Sequence, residues 1–202
     1  MFSPVRTISL TNNFLLLSII VLSGYIIATP YLPVISHTIH EQSVTEYDRY
    51  VYKSEVAATK GLDQTKLKPI PTENRIIIPS MSLDAPILEG DSKDVLDSGI
   101  WRRPKTSTPD TQSNTVIVAH RFLYTKNNSS DTFYFLDQVK IGDTITVFWK
   151  KKEYSYRVTT IKTVDPSAIE IEKLSDTPML TLYTCTPVWS AAQRLVVVAI
   201  PI

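Results

Sequence analysis

Short runs of β-branched and aromatic residues, separated by turn residues, fill the sequence from Asn74 to its last residue. The runs are RIIIP, APILEG, NTVIVAH, TITVFW, YSYRVTTIKTV, MLTLYTC and RLVVVAIP. Runs of this length and composition indicate β-strands. Seven or so strands within about 130 residues predict a closed β-barrel or a β-sandwich, because either architecture limits the number of exposed sheet edges.

The connections between these runs carry their own signals. The charged break from Lys150 to Lys152 separates two runs and predicts a hairpin turn. Residues 92–97 and 131–138 predict short helices within loops. A chain of 202 residues has room for one ordinary domain and an appendage. We therefore expect one all-β domain over residues 74–202.

A run without any charged residue, residues 14–35, lies ahead of the β-rich part. A helix of this length extends roughly 33 Å, and the hydrocarbon core of a bilayer is about 30 Å thick. Pro30 and Pro33 favour an end of the regular helix near Thr29. A cleaved signal peptide would have a shorter apolar centre and a small-residue cleavage site, which residues 26–30 match poorly. The run therefore predicts an uncleaved transmembrane anchor.

Residues 36–73 are mostly polar and are interpreted as a stalk between the anchor and the β-rich domain. Val44, Tyr47 and Val51 stand at helical spacing, and Gly61 lies where a helix could end. The composition is equally typical of a disordered linker, so helix and linker both stay open for this segment.

Charge and cysteine content exclude several classes of function. The net charge is +1, and no dense basic run is interleaved with aromatic residues, so nucleic acid is not an expected partner. Cys185 is the only cysteine, which excludes an internal disulfide framework. The three histidines at positions 37, 40 and 120 do not have the spacing of zinc ligands. We expect neither a metal nor a cofactor.

Three chemically reactive side chains fall at predicted strand ends. His120 follows TVIVA, Cys185 ends MLTLYTC, and Arg194 begins RLVVVAIP. Taken singly, each has a structural explanation: a buried cysteine, a loop histidine and a solvated arginine. Together they supply a nucleophile, a proton carrier and a fixed cation, which are the groups needed for acyl transfer through a thioester.

These residues also carry a family resemblance. The chain resembles the sortases, membrane-anchored cysteine transpeptidases, in TLYTC at 181–185, in VIVAHR around His120, and in Arg194 nine residues after the cysteine. RIIIPSMSLDAPIL at 75–88 is similar to the first strands of the sortase barrel. Ala119 stands where the family commonly has glycine before the histidine, a change that removes no reacting group.

The resemblance implies a sortase-like closed β-barrel of about eight strands that cleaves an LPXTG-like sorting signal. Cys185 would form the thioester, His120 would donate and later accept a proton, and Arg194 would stabilise the oxyanion or bind peptide carbonyls. Thr184 would contact the substrate. The expected partners are sorting-signal-bearing surface proteins and an amine acceptor, either a cell-wall precursor or a pilin lysine. The barrel would lie outside the cell membrane on a single-pass anchor, with residues 1–13 in the cytoplasm.

Several alternatives remain at the level of sequence. The TCTP stretch at 184–187 is similar to the pilin-polymerising branch, although residues 36–72 contain no Asp-Pro-aromatic lid. A papain-like hydrolase would have an early cysteine and a late histidine, and an L,D-transpeptidase would have a Ser-His-Gly-Cys core. This sequence has neither arrangement. A non-catalytic β-barrel that displays a binding surface on a stalk is the remaining alternative from another class.

Overall fold

A closed β-barrel dominates the computed structural model, which describes residues 4–29, 70–122, 132–188 and 190–202. Within these residues the sheet has eight strands: β1 Arg75–Ile78, β2 Leu83–Leu88, β3 Ile100–Arg102, β4 Asn114–Val118, β5 Thr144–Trp149, β6 Lys152–Val164, β7 Met179–Thr186 and β8 Gln193–Pro201. Around the barrel the order is β1-β2-β3-β4-β7-β8-β6-β5, and β5 pairs with β1 to close it. The predicted all-β barrel of about eight strands is confirmed.

Two of the strand pairs are parallel and the others are antiparallel. Strand β2 runs parallel to β3, and β4 runs parallel to β7, with Val118 opposite Tyr183 at the end of the β4–β7 ladder. Parallel neighbours cannot be joined by a tight hairpin, so the connections between β2 and β3 and between β4 and β7 are long. The β4–β7 pair brings the middle of the chain beside its C-terminal hairpin.

The hairpin predicted at Lys150 to Lys152 is present between β5 and β6. Lys150 and Lys151 have φ values of 50° and 64°, the left-handed backbone that two-residue hairpins of the favoured twist require. The Lys150 backbone N–H donates to the Asn74 side-chain oxygen at 3.0 Å, which ties the turn to the start of β1. Strand β3 was not predicted, because three residues are too short to show a period of two.

The interior of the barrel is filled by alternate residues of every strand. On β7, Leu180 and Leu182 are fully buried in the core, and on β8 the core residues are Leu195, Val197 and Ala199. Fully burying an aliphatic side chain of this size contributes roughly 1.5–3 kcal/mol. Because successive side chains of a strand point to opposite faces, the residues between these core residues face outward. This alternation decides on which face each reactive side chain lies.

Short 3₁₀-helices occupy several of the loops. One spans Lys93–Ser98, where a helix was predicted, and the Ser92 hydroxyl caps it by accepting from the Asp94 N–H at 3.3 Å. In the second predicted helical segment, the structure assigns Leu136–Gln138 as a 3₁₀-helix. A further one, Ile169–Glu172, lies in the connection between β6 and β7 and was not predicted.

An α-helix, α1, spans Pro4–Ala28, so it ends beside the predicted limit at Thr29. Its large apolar side chains from Phe14 to Ile27 are exposed. Among the described residues, no helix combines the length and the apolar character of a membrane span. The anchor predicted for residues 14–35 therefore stays a prediction. Residues 36–69 of the predicted stalk lie outside the described part of the chain.

Candidate active site

The alternation along β7 turns the cysteine away from the core. Leu180, Leu182 and Thr184 have the inward parity, and each is at most 1% exposed. Tyr183 and Cys185 have the opposite parity and are partly exposed. The only thiol of the chain is thus on the outer face of the barrel, where a peptide can approach it.

Strand register brings His120 and Arg194 to the same level as Cys185. Cys185 lies directly opposite Arg194 in the β7–β8 ladder. His120 is two residues past Val118, just as Cys185 is two residues past Tyr183, the partner of Val118. Neighbouring strands are about 4.8 Å apart, so the three side chains share one end and one face of β4, β7 and β8. The structure brings together all three predicted reactive residues.

His120 has a carboxylate partner that the sequence did not reveal. Its Nε2 lies 3.0 Å from Oδ1 of Asp97, near the end of the 3₁₀-helix Lys93–Ser98. The two side chains are 30% and 70% exposed, respectively. Asp97 precedes the histidine by 23 positions and sits among other acidic residues, so spacing alone carried no signal for the pair.

Arg194 is held by the backbone of the β7–β8 connection. Its Nη1 donates to the carbonyl oxygens of Ala191 and Gln193, both at 3.1 Å. The guanidinium also acts on Asp165 at the end of β6. The pKa of Asp165 is lowered first by the hydroxyl and N–H of Ser167 and, to a lesser extent, by the charge of Arg194. A guanidinium fixed in this way presents a defined cation beside the thiol.

Thr184 links the strand of the nucleophile to the strand of the histidine. Its hydroxyl is buried and donates to the Ala119 carbonyl oxygen at 2.8 Å. Each member of this hydrogen bond directly precedes a reactive residue, because Ala119 precedes His120 and Thr184 precedes Cys185. The methyl group of Ala119 packs in the core, which accommodates the departure from glycine. The Thr184 hydroxyl thus has a partner within the protein. The substrate contact expected for Thr184 stays a prediction.

A second polar cluster lies on the outer face next to Cys185. The Tyr183 hydroxyl and Arg103 Nε, the latter at 2.9 Å, both donate to Oε1 of Glu172. Arg103 also stacks over the Trp101 ring, 4.6 Å from its centroid. Burial, followed by the hydrogen bond to Glu172, raises the pKa of Tyr183. The cluster fastens the 3₁₀-helix Ile169–Glu172 onto β7 two residues before the nucleophile.

Asn114, at the start of β4, binds the connection between β6 and β7 at a second point. Its Nδ2 donates to the carbonyl oxygens of Ile171 and Lys173 at 3.1 and 2.9 Å. Its Oδ1 accepts from the buried Thr181 hydroxyl at 2.7 Å. The connection between β6 and β7 is therefore held by side-chain hydrogen bonds against the outer face of the barrel that carries Cys185. Sequence reasoning missed this arrangement, because Asn114 is separated from the two carbonyl groups that it binds by 57 and 59 positions.

Comparison with known proteins gives one family. The model of the sortase domain matches residues 76–202. Sortase A of Streptococcus agalactiae is 29% identical over 161 residues, which cover 78% of this chain and 64% of that protein. The chain thus matches less than two thirds of that relative's length.

Two solved structures extend the comparison. Clostridium perfringens sortase C with the C-terminal cell wall sorting motif has a TM-score of 0.57 and 33% identity, covering 63% of this chain and 69% of that one. Streptococcus pneumoniae sortase C, a structure described in terms of catalysis and pilin substrate specificity, has a TM-score of 0.56 and 30% identity, with coverage of 64% and 68%.

Proposed function

Because the chain belongs to the sortase family, we propose that it is a cysteine transpeptidase that joins a surface protein to an amine through a thioester on Cys185. The observation that carries the proposal is the meeting of His120, Cys185 and Arg194 on one face of three adjacent strands. A nucleophile, a proton carrier and a cation at one level are the groups that acyl transfer requires.

In the first half-reaction, Cys185 as thiolate attacks the carbonyl carbon of the scissile peptide bond in an LPXTG-like signal. His120 as imidazolium donates a proton to the leaving amine nitrogen, the C–N bond breaks, and a thioester remains. Arg194 donates hydrogen bonds to the developing oxyanion or to neighbouring peptide carbonyls. The exposed position of Cys185 at a strand end supports this assignment, because a peptide can reach the sulfur without opening the barrel.

In the second half-reaction, an amine attacks the thioester carbonyl. His120, now neutral, accepts the proton of the incoming amine, and the departing thiolate returns to the resting state of the enzyme. The histidine therefore serves as acid and then as base, which requires that it keep one orientation through both steps. The hydrogen bond from Thr184 to Ala119 supports this requirement. In this proposal Thr184 positions its two neighbours from inside the barrel, and the direct substrate contact expected from the family resemblance is the alternative role for this residue.

The acceptor amine distinguishes two kinds of sortase. Attachment to a cell-wall precursor is the first candidate, supported by the similarity to C. perfringens sortase C with the C-terminal cell wall sorting motif. Polymerisation of pilins through a lysine is the second candidate, supported by the TCTP stretch and by the similarity to sortase C structures. Both acceptors are primary amines, so both use the same chemistry at Cys185.

The proposed location is the outer side of the cell membrane, with the chain tethered by residues 14–35. Two observations support the tether. The segment contains no charged residue, and the large apolar side chains of α1 within it are exposed among the residues that the structure describes. Surface proteins and acceptor amines of these kinds are found outside the cytoplasm, so the barrel would face outward and residues 1–13 would lie in the cytoplasm.

The decisive experiment incubates the full chain with a library of Leu-Pro-x-Thr-Gly peptides and measures its intact mass. An acyl group retained on Cys185 and absent from Cys185→Ala is the expected result. Added hydroxylamine should then raise turnover and divert the product to the hydroxamate. A free acid as the sole product with every amine tried would indicate a peptidase. The absence of any acyl-enzyme would favour a non-catalytic barrel that binds a ligand.

A further inference from the structure

The connection between β2 and β3 presents one carboxylate to the proposed proton donor. Asp97 Oδ1 lies 3.0 Å from His120 Nε2, although the two residues are 23 positions apart. The 3₁₀-helix that carries Asp97 is closed at both ends by hydrogen bonds within the segment itself. The Ser92 hydroxyl caps its first turn, and the Gly99 N–H donates to the Leu96 carbonyl oxygen at its end. These bonds define the backbone turn from which the carboxylate extends to His120.

We propose that Asp97 is a positioning residue that holds the His120 ring in the orientation and tautomer used for proton transfer. This inference rests on the transpeptidase function proposed above. A carboxylate accepts hydrogen bonds and, when ionised, does not donate them, so Nε2 of His120 must carry the proton that points at Asp97. Nδ1 is then the nitrogen that remains to exchange a proton with the substrate amine.

The exposure of the pair limits how large its effect can be. With Asp97 70% exposed and His120 30% exposed, water competes for both partners. An exposed ion pair of this kind changes an equilibrium constant by at most about fivefold. Removing the carboxylate should also leave the barrel intact, because a side chain this exposed makes little packing contact. Asp97 should accordingly affect the rate of the reaction and leave stability unchanged.

The leaving group offers a readout that a merely structural role would not move. An amide nitrogen must be protonated before it departs, whereas the alcohol of an ester departs with much less help from an acid. A residue that orients the acid should therefore matter for an amide and matter little for the matching ester. Both substrates give the same thioester on Cys185, so the second half-reaction is common to them.

The test compares the full wild-type chain with Asp97→Ala and Asp97→Asn, using a Leu-Pro-Glu-Thr-Gly peptide and its Thr-glycolate ester. Asp91→Ala is the matched control, since it removes an exposed carboxylate from the same connection. For Asp97→Ala we expect kcat/KM to fall about three- to fivefold with the amide and less than twofold with the ester. Asp97→Asn should recover part of the loss, because its amide oxygen can still accept from Nε2. Asp91→Ala should behave like wild type.

A spectroscopic measurement of the same chains needs no substrate. In ¹⁵N-resolved NMR spectra at a pH where the imidazole is neutral, His120 should be in the Nε2–H tautomer in the wild type. Asp97→Ala should shift it toward the tautomer mixture of a free imidazole. An Nδ1–H tautomer in the wild type, or no change in the variant, would overturn the assignment. So would equal losses with amide and ester, or a faster reaction on removing Asp97, which would mean that the carboxylate restrains the histidine.

The two proposals fail in different ways. A wild-type chain that forms no acyl-enzyme with any peptide contradicts the transpeptidase function, whatever the NMR result for His120. An active wild type whose Asp97→Ala variant matches it on both substrates contradicts only the role of Asp97.

Discussion

Replacing Thr184 with valine tests whether this residue acts from inside the barrel or touches the substrate. Valine has nearly the shape of threonine, so the change removes the hydroxyl and leaves the buried Ala119 carbonyl without the donor that lies 2.8 Å away. A buried acceptor that loses its partner costs about 1–3 kcal/mol of folding stability. For a barrel of about 130 residues, this corresponds to a fall in Tm of roughly 4–12 °C.

The same loss should appear in catalysis as a change in kcat. The hydrogen bond fixes the residue before His120 against the residue before Cys185, and displacements of about 1 Å in a catalytic site can lower rates by up to about 100-fold. We expect kcat of Thr184→Val to fall about tenfold while KM stays within about twofold. Calorimetry and the initial rates of peptide cleavage measure the two effects.

Thr184→Ser is the matched control, because it keeps the hydroxyl and loses only a methyl group. It should retain most of the wild-type kcat and lose less stability than the valine variant. A Thr184→Val protein with the wild-type Tm and a strongly raised KM would refute the reasoning. That outcome would support the direct substrate contact expected from the family resemblance.

Three further expectations follow from the site and its surroundings. Cys185→Ala and Arg194→Lys should each lower turnover by at least about 100-fold, with Tm almost unchanged because both residues are at the surface of the barrel; a lysine variant of normal activity would contradict the role of the guanidinium. Since the pKa of Tyr183 is raised in the fold, its stabilising effect is complete below about pH 10 and is lost as the pH rises further, so alkaline denaturation should be less steep in Tyr183→Phe. A chain beginning at residue 40 should be monomeric and give a β-type circular dichroism spectrum; aggregation would contradict the separation of anchor and barrel.

Local sequence patterns were sufficient for most of the barrel. The β-branched runs and the lysine turn between β5 and β6 identify strands and a hairpin without tertiary information. That Cys185 and Arg194 lie opposite each other could also be expected from the sequence, because one short connection joins β7 to β8. Strand β3 could not be found, since its three residues show no alternation.

The carboxylates that lie beside the site could not be identified without knowing how the loops fold over the sheet. Asp97 and Glu172 belong to a set of 20 acidic residues, and nothing in their neighbourhoods separates them from the others. Asp97 becomes a neighbour of His120 only because a loop 23 positions earlier in the chain folds over the outer face of β4. Glu172, 11 positions before Tyr183, reaches it because the connection between β6 and β7 folds back onto β7. The inward direction of Thr184 required the register of β7, which a motif does not supply.

The parallel pairing of β4 with β7 also orders the events of folding. Cys185 and Arg194 face each other across a single hairpin, whereas the contact between Ala119 and Thr184 closes a loop of 65 residues. Closing a long loop is entropically slower than forming a hairpin. We therefore expect a refolding chain to place the thiol beside the guanidinium before any proton donor arrives. In stopped-flow refolding, peptide cleavage should therefore appear later than the β-sheet signal. A partly folded barrel would lack the proton donor and could not form the acyl-enzyme.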